Sequence, residues 1–152
     1  MADDVTSTTA GGTDATTRAT RPTRACLAAR IADDYRSRDV VVLDLTAITP
    51  IVDYFVVATG TSRRQMRAVA DEISRVFKQD GDTLLGVEGY DNASCWILID
   101  FGDIVIHLQD AEARSLYDLD RLWGDALRVD WQADTAAASP TSSPDDSDLD
   151  PA

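Results

Sequence analysis

Between residues 62 and 80 the chain carries an apolar stripe with the period of an α-helix. The apolar residues fall at i, i+3, i+4, i+7, i+10 and i+11, and they are Met66, Val69, Ala70, Ile73, Val76 and Phe77. Ser62 and Gln65 have the spacing of a capping box, which predicts the start of the helix. Asp80 and Gly81 predict its end. A helix with one apolar side must pack against another layer, so the stripe requires a folded core.

Short runs rich in β-branched and aromatic residues surround this helix and predict strands. The predicted strands cover residues 39–45, 53–59, 84–87, 95–101 and 103–108. Helical patterns also occupy residues 23–35 and begin again near Asp110. The order of elements predicts one α/β domain with a mixed β-sheet flanked by helices. The helix after Ser62 is the one crossover long enough to join two parallel strands.

The two ends of the chain differ in composition from the middle. Residues 1–20 are mainly Thr, Ala, Gly and Asp, and residues 132–152 are mainly Ala, Ser, Pro and Asp. Such segments bury too little apolar surface to offset the entropy lost on ordering. We therefore expect disordered tails on both sides of a domain that covers residues 21–131.

The chain is acidic, with a formal net charge of −13. Residues 1–20 carry −2 and residues 134–152 carry −5, which leaves −6 for residues 21–133. Nucleic-acid phosphates bind Lys and Arg, so an acidic domain predicts little direct nucleic-acid binding. A basic protein partner suits this charge better, although solubility explains it as well.

Other features of the sequence exclude some classes of protein. Cys26 and Cys95 lie far apart and the chain has one histidine, so no pattern of metal ligands is present. No apolar run reaches the length of a membrane span, and the first residues lack a secretory pattern. We expect a soluble, cytoplasmic protein that needs neither a metal nor another cofactor and does not bind a membrane.

The turn Gly60-Thr61-Ser62 has the hydroxyl groups and backbone amides that hold a phosphate at the N-terminus of a helix. It lacks the lysine of a P-loop and the three spaced glycines of a dinucleotide loop. Capping of the following helix explains the hydroxyl residues without a ligand and is the favoured interpretation.

Asp100 and Asp103 flank Gly102 in a predicted tight hairpin. Two carboxylates near a turn suit a divalent ion that accompanies a nucleotide. Aspartate also stabilises tight turns through bonds to nearby backbone, which is the favoured explanation. The alternative function is a nucleotide-binding domain or degenerate nucleotidyltransferase, in which Ser62 holds phosphate and the two aspartates hold the ion.

Side chains on the last two strands alternate between the two faces of the sheet. Trp96, Leu98 and Asp100 share one face, and the apolar residues between them share the other. If the apolar set faces the core, Trp96 is an exposed anchor of the kind found in binding surfaces, unless the C-terminal segment covers it. His107 has no partner nucleophile in the sequence, so a packed or hydrogen-bonded role is favoured over catalysis.

Four segments of the chain resemble the ribosomal silencing factor family, also called the Iojap or RsfS family. They occur in the family's order between Ala25 and Ala126, and they read DYFVVATGTSRRQMRAVADEI, GVEG, WILIDFGDIVIH and RSLYDLDRLWGDA. The resemblance implies a nucleotidyltransferase-like fold without catalytic activity. The acidic segment after residue 131 lies outside the family pattern.

The resemblance also implies a partner and a mechanism. Members of the family bind a large-subunit ribosomal protein at the intersubunit face and block joining of the small subunit. This implies a translational repressor that contacts the large ribosomal subunit through a basic ribosomal protein. The implied contact residues are Trp96, Leu98, Asp100, Phe101, Tyr117, Leu122 and Trp123. A homodimer that competes for part of this surface is implied as well.

Overall fold

A computed structural model of the chain describes residues 11–91 and 94–132, with side chains from residue 23 onward. It confirms the predicted α/β class, with one mixed sheet flanked by helices. The elements are α1 (Gly11–Asp34), β1 (Arg38–Asp44), β2 (Tyr54–Thr59), α2 (Arg63–Gln79), β3 (Gly86–Glu88), β4 (Trp96–Asp100), β5 (Ile104–Gln109), α3 (Ala111–Tyr117), α4 (Leu119–Leu122) and β6 (Leu127–Val129).

The six strands of the sheet follow the order β3-β4-β5-β2-β1-β6. β2 and β5 pair in parallel in the centre, and the other neighbouring strands pair antiparallel. The connection between the two parallel strands contains α2, as the sequence predicts, and then the β3–β4 hairpin. The central parallel pair therefore directs the ends of β2 and β5 toward the same end of the sheet.

One face of the sheet, which we call the closed face, is covered by α1 and α2. The α2 stripe packs on it, and Met66, Val69, Ile73 and Phe77 are almost fully buried. The strands contribute a set of fully buried aliphatic side chains, namely Val56, Ile97, Ile99, Ile104, Ile106 and Leu108. Burial of this aliphatic surface is the main source of stability of the domain.

The opposite face, which we call the open face, is covered only in part. A smaller apolar cluster there joins Leu43, Leu45 and Val52 to half-buried neighbours that include Phe55 and Trp123. The short helices α3 and α4 cross this face, and each buries one residue on it, Ala113 and Leu119. Other side chains of this face range from buried, as at Val57 and Gln109, to half-buried, as at Val105.

The start of α2 matches the sequence prediction closely. The backbone amide of Gln65 donates to the Ser62 hydroxyl at 3.0 Å, and the Gln65 side-chain oxygen accepts from the Thr61 amide at 3.1 Å. The side-chain nitrogen of Gln65 donates to the carbonyl of Tyr35 at 2.8 Å, which ties α2 to the end of α1. Capping therefore explains the hydroxyl residues of this turn.

Three details of the fold differ from the predictions. α1 begins at Gly11, inside the segment predicted to be disordered, whereas residues 1–10 and 133–152 lie outside the described residues. β6 is a strand that the sequence pattern does not predict, because three residues are too few to show alternation. Residues 101–103 separate β4 from β5, where a single glycine was predicted, and Gly102 has a φ of 92° that favours glycine.

Among the residues described, no helix has both the length and the apolar character that a membrane crossing requires.

Candidate functional site

Five aromatic rings form a continuous row across the open face. In order of contact they are Tyr117, Trp96, His107, Phe55 and Trp123, which we call the aromatic row. The successive distances between ring centroids are 4.9, 5.7, 4.5 and 5.6 Å. These separations are typical of favourable aromatic pairs, so the five rings support one another.

Strand register brings three of these rings together. His107 on β5 lies opposite Leu98 on β4 and opposite Val57 on β2. Trp96 and Phe55 are each displaced by two positions from those partners, which is within reach of aromatic side chains on one face. Phe55 and His107 were absent from the residues implied by the family resemblance. Their alternation with buried residues was the available signal, but only the register shows that they meet.

The segment that contains α3 and α4 carries exposed apolar side chains next in sequence to members of the aromatic row. Tyr117 is 52% exposed, and Leu116 and Leu122 are 72% and 70% exposed. Trp96 is half-buried, because Tyr117 from the C-terminal segment stacks against its ring. Both alternatives for Trp96 therefore hold in part: it faces outward from the sheet, and the C-terminal segment covers one side of it.

A polar anchor holds α3 and α4 on this face. The Arg114 guanidinium makes two hydrogen bonds to the Asp120 carboxylate, at 3.0 and 3.1 Å, and a third to the Thr59 hydroxyl at 2.8 Å. Partial burial acts to raise the pKa of Asp120, but the hydrogen bonds and charge of Arg114 outweigh it and the pKa is lowered. This anchor fixes α3 and α4 to the end of β2, and thereby positions Tyr117 and Trp123.

His107 is the centre of the row and is 5% exposed. Its Nδ1 accepts a hydrogen bond of 3.2 Å from the indole nitrogen of Trp96. Burial disfavours the charged imidazolium and lowers the pKa of His107 from 6.5 to about 4. The prediction that this histidine is packed and hydrogen-bonded is confirmed, and the ring is neutral at physiological pH.

The structure places six of the seven implied contact residues on or beside the open face. Leu98 and Asp100 are half-buried there, in line with Trp96. Phe101 lies on the closed face instead, where it is 7% exposed. Its ring packs against that of Phe77, with 4.7 Å between the ring centroids. The alternation of β4 continues through the turn, so Phe101 points away from Trp96 and does not share its surface.

The residues of the nucleotide alternative do not meet. Ser62 follows the end of β2, whereas Asp100 and Asp103 flank the turn that precedes β5. Since β2 and β5 are parallel and pair over their full length, these residues lie at opposite ends of the sheet, about 17 Å apart along the strands. The proposed combination of a phosphate loop with these two aspartates is therefore wrong.

The two aspartates have structural partners. The Asp100 carboxylate accepts from the backbone amide of Gly102 at 2.8 Å, which stabilises the turn as predicted. Asp103 forms an ion pair of 3.1 Å with Arg24 of α1. Within residues 23–91 and 94–132, no group of three or more potential metal-ligating side chains is assembled.

A shallow groove of about 360 Å³ lies where β2 and β5 end, which is where parallel strands commonly bind ligands. Its lining comprises Arg38, Thr59, Gly60, Thr61, Asp110, Ala111 and Glu112. The Asp110 carboxylate already caps α3 by accepting from the Ala113 amide at 2.8 Å. The other carboxylate of the groove is that of Glu112, and Arg38 is its one arginine. A single available carboxylate is too few ligands for a divalent ion.

The geometry can be compared with known proteins. The sequence profile of a family described as ribosomal silencing factor during starvation matches residues 18–151. The chain belongs to the ribosomal silencing factor family. The family match continues to residue 151, so the acidic segment after residue 131 does not lie outside the family pattern, contrary to the expectation from the sequence.

Named relatives agree with this assignment. The ribosomal silencing factor RsfS of Bacillus subtilis is 39% identical over 104 residues, which cover 68% of this chain and 87% of that protein. A mouse protein named mitochondrial assembly of ribosomal large subunit protein 1 is 36% identical over 90 residues, 57% of this chain and 39% of the mouse protein. A crystal structure of a Chromobacterium violaceum protein is similar with a TM-score of 0.63 and 33% identity, covering 67% of this chain and 84% of that one. The ribosomal silencing factor family therefore provides both sequence and structural relatives of this chain.

Proposed function

We propose that this protein is a ribosome-associated repressor of translation that acts in the cytoplasm. It binds a basic ribosomal protein at the intersubunit face of the large ribosomal subunit and prevents the small subunit from joining. Membership in the ribosomal silencing factor family supports ribosome association, and the name of the mouse relative supports the large subunit.

The observation that carries the proposal is the aromatic row on a face that the domain leaves partly uncovered. Trp and Tyr side chains dominate the binding energy of protein interfaces, because each buries a large apolar area at a small entropic cost. Here Trp96 and Tyr117 stack on each other, and Leu116 and Leu122 extend the apolar surface with more than two thirds of each side chain exposed. A patch of this kind is typical of a docking surface.

Charge beside the row suits a basic partner. A groove of about 390 Å³ next to the indole is lined by Glu88, Gly89, Ser94, Trp96 and Leu98. Glu88 is exposed, and Asp100 follows Leu98 on the same face. A Lys or Arg of the partner would find an apolar wall for its stem and a carboxylate for its charge. Complementary charge of this kind speeds association and orients the partner.

The proposed mechanism is steric and needs no reaction at the site. Once the open face is docked, the rest of the domain occupies the space that the small subunit would enter. A homodimer formed through the same row would hide it, so dimerisation and ribosome binding would be alternatives. Repression would then rise less than in proportion to the total protein concentration, because a growing fraction of the protein would be dimer.

The test is sedimentation of purified protein with ribosomal subunits in sucrose gradients. We expect the wild type to travel with the large subunit and to reduce the amount of joined ribosomes. Trp96→Ala should weaken binding by about 2 kcal/mol or more, the size of an interface hot spot. Ile51→Ala, at a position 84% exposed in the loop before β2, is the matched control and should bind as the wild type does.

Two results would contradict the proposal. If the wild type stays at the top of the gradient while the subunits join normally, this protein does not repress by blocking subunit joining. If Trp96→Ala binds as tightly as Ile51→Ala, the protein uses a surface other than the aromatic row.

A further inference from the structure

The hydrogen bond between Trp96 and His107 gives the histidine a role that the family resemblance does not assign. The Trp96 indole N–H is the donor and the His107 Nδ1 is the acceptor, at 3.2 Å. Since Nδ1 accepts, the neutral ring carries its proton on Nε2. The Nε2 atom is buried and has no hydrogen-bond partner among the residues described, so the bond to Trp96 is the one polar contact of this ring that the structure shows.

The His107 ring is itself held in place. Phe55 packs edge-on against it, with centroids 4.5 Å apart and planes at 75°. Trp123 packs in turn against Phe55 at 5.6 Å and 90°. The histidine is 5% exposed, so its ring has little room to rotate.

Trp96 lacks equivalent packing on its own. It is half-buried, and the ring stacked on it belongs to Tyr117, which is itself 52% exposed. Stacking of tilted rings tolerates rotation of the indole about its side-chain torsions, whereas a hydrogen bond is directional. Among the described contacts, the bond to His107 is therefore the one that fixes the direction in which the indole N–H points.

We propose that His107 is a positioning residue for the docking surface: it holds the Trp96 indole in the orientation that a bound ribosomal protein requires. This inference rests on the proposed function, because the orientation matters only if Trp96 docks. Fixing the indole before binding removes an entropy cost that a freely rotating side chain would incur on binding.

Two substitutions distinguish the effect of the acceptor atom from the effect of the rest of the ring. An asparagine side chain can place its carbonyl oxygen near the position of Nδ1, whereas a glutamine side chain places its oxygen nearer to Nε2. Both remove the aromatic ring and both are neutral amides. His107→Asn should therefore keep an acceptor for the indole, and His107→Gln should lose it.

The first readout is the indole N–H signal of Trp96 in a ¹H–¹⁵N spectrum of the full chain, identified by its absence in Trp96→Phe. We expect His107→Gln to move this signal toward that of a solvated indole and to speed its exchange with water. In His107→Asn the signal should stay near its wild-type position. The amide signals of the sheet report in both variants whether the fold is intact.

The second readout is binding to large ribosomal subunits. We expect His107→Gln to weaken binding about fivefold, the order expected for loss of one neutral hydrogen bond, and His107→Asn to recover most of that loss. In the Trp96→Phe background, which has no indole N–H, His107→Gln and His107→Asn should bind equally. Such non-additivity shows that the histidine acts through Trp96.

The outcomes distinguish this inference from the proposed function. An indole signal that responds equally to asparagine and glutamine overturns the positioning role, whatever the binding result. An indole signal that responds only to glutamine, in a protein that binds large subunits, supports it when binding follows the same pattern. If the indole signal responds only to glutamine but His107→Asn and His107→Gln bind large subunits equally well, the orientation of the indole does not affect binding and the inference fails. If the wild type does not bind subunits at all, the proposed function fails and the inference fails with it, even where the indole signal responds.

Discussion

The closed and open faces of the sheet share the same strands but differ in the side chains that they carry and in how far these are buried. On β5, Ile104, Ile106 and Leu108 point to the closed face and are at most 1% exposed, while Val105 on the open face is half-buried. The closed face is mainly aliphatic and covered by two long helices, whereas the open face carries the aromatic row and is covered in part by two short helices. Under the proposed function, the closed side of the sheet mainly supplies stability and the open side supplies recognition.

A pair of truncations on β5 gives the largest expected contrast between the faces. Ile106→Ala, on the closed face, should lower the free energy of unfolding by about 4 kcal/mol, because it leaves a cavity under α2. Val105→Ala, at the neighbouring position on the open face, should lower the free energy of unfolding by about 1 kcal/mol. Less apolar area is removed from water there on folding. Urea denaturation followed by circular dichroism measures both. Equal losses would mean that the open face contributes as much to stability as the closed one.

Acid should destabilise the protein through the buried histidine of the open face. The pKa of His107 is lowered to about 4 in the folded state, against 6.5 for an exposed histidine. The unfolded chain therefore binds more protons between these values, and the stability that is complete above pH 6.5 is lost as the pH falls to about 4. The full loss is about 3 kcal/mol, from the size of the shift. Denaturation midpoints measured across this range give the slope.

Comparison with His107→Asn isolates this contribution from the carboxylates that titrate in the same range. The variant keeps Asp82 and Asp120, whose pKa values are raised and lowered respectively. The difference in unfolding free energy between wild type and variant should therefore shrink toward acid. A difference that stays constant with pH would show that His107 is not the group responsible.

The smallest effect on stability is expected at the exposed edge of the docking surface. Leu122→Ala should change the free energy of unfolding by less than about 0.5 kcal/mol, because the side chain is 70% exposed. It should nevertheless weaken binding to large ribosomal subunits by about 1 kcal/mol, as a contact outside the centre of an interface does. Leu85→Ala, at a position 64% exposed beside the β4–β5 turn, is the control and should change neither quantity. If the two variants bind alike, Leu122 lies outside the interface.

Sequence reasoning was most successful where a pattern is local. The period of α2, its Ser62 cap and the alternation along β4 and β5 are each set by residues a few positions apart, and the structure agrees with them. The class of fold follows from these elements. β6 was missed because its three residues show no period, and pairing with β1 is what makes them a strand.

The candidate site was predicted less completely, since it depends on contacts between distant segments. The family resemblance implies Trp96 and Tyr117, but the row that joins them to Phe55 depends on strand register. Phe101 was assigned to the surface from its place in a motif, although alternation already put it on the face opposite Trp96. Where the motif and the alternation disagreed, the physical pattern was the better guide.

The parallel pairing of β2 with β5 also sets the order in which the protein becomes competent during its own synthesis. Tyr54 pairs with Ile104, so this contact joins residues about 50 positions apart and forms only after the hairpin between them has been made. The aromatic row takes rings from Phe55 to Trp123, and the last of these leaves the ribosome late. Under the proposed function, the nascent chain is inert toward the ribosome that makes it until most of its 152 residues have been translated.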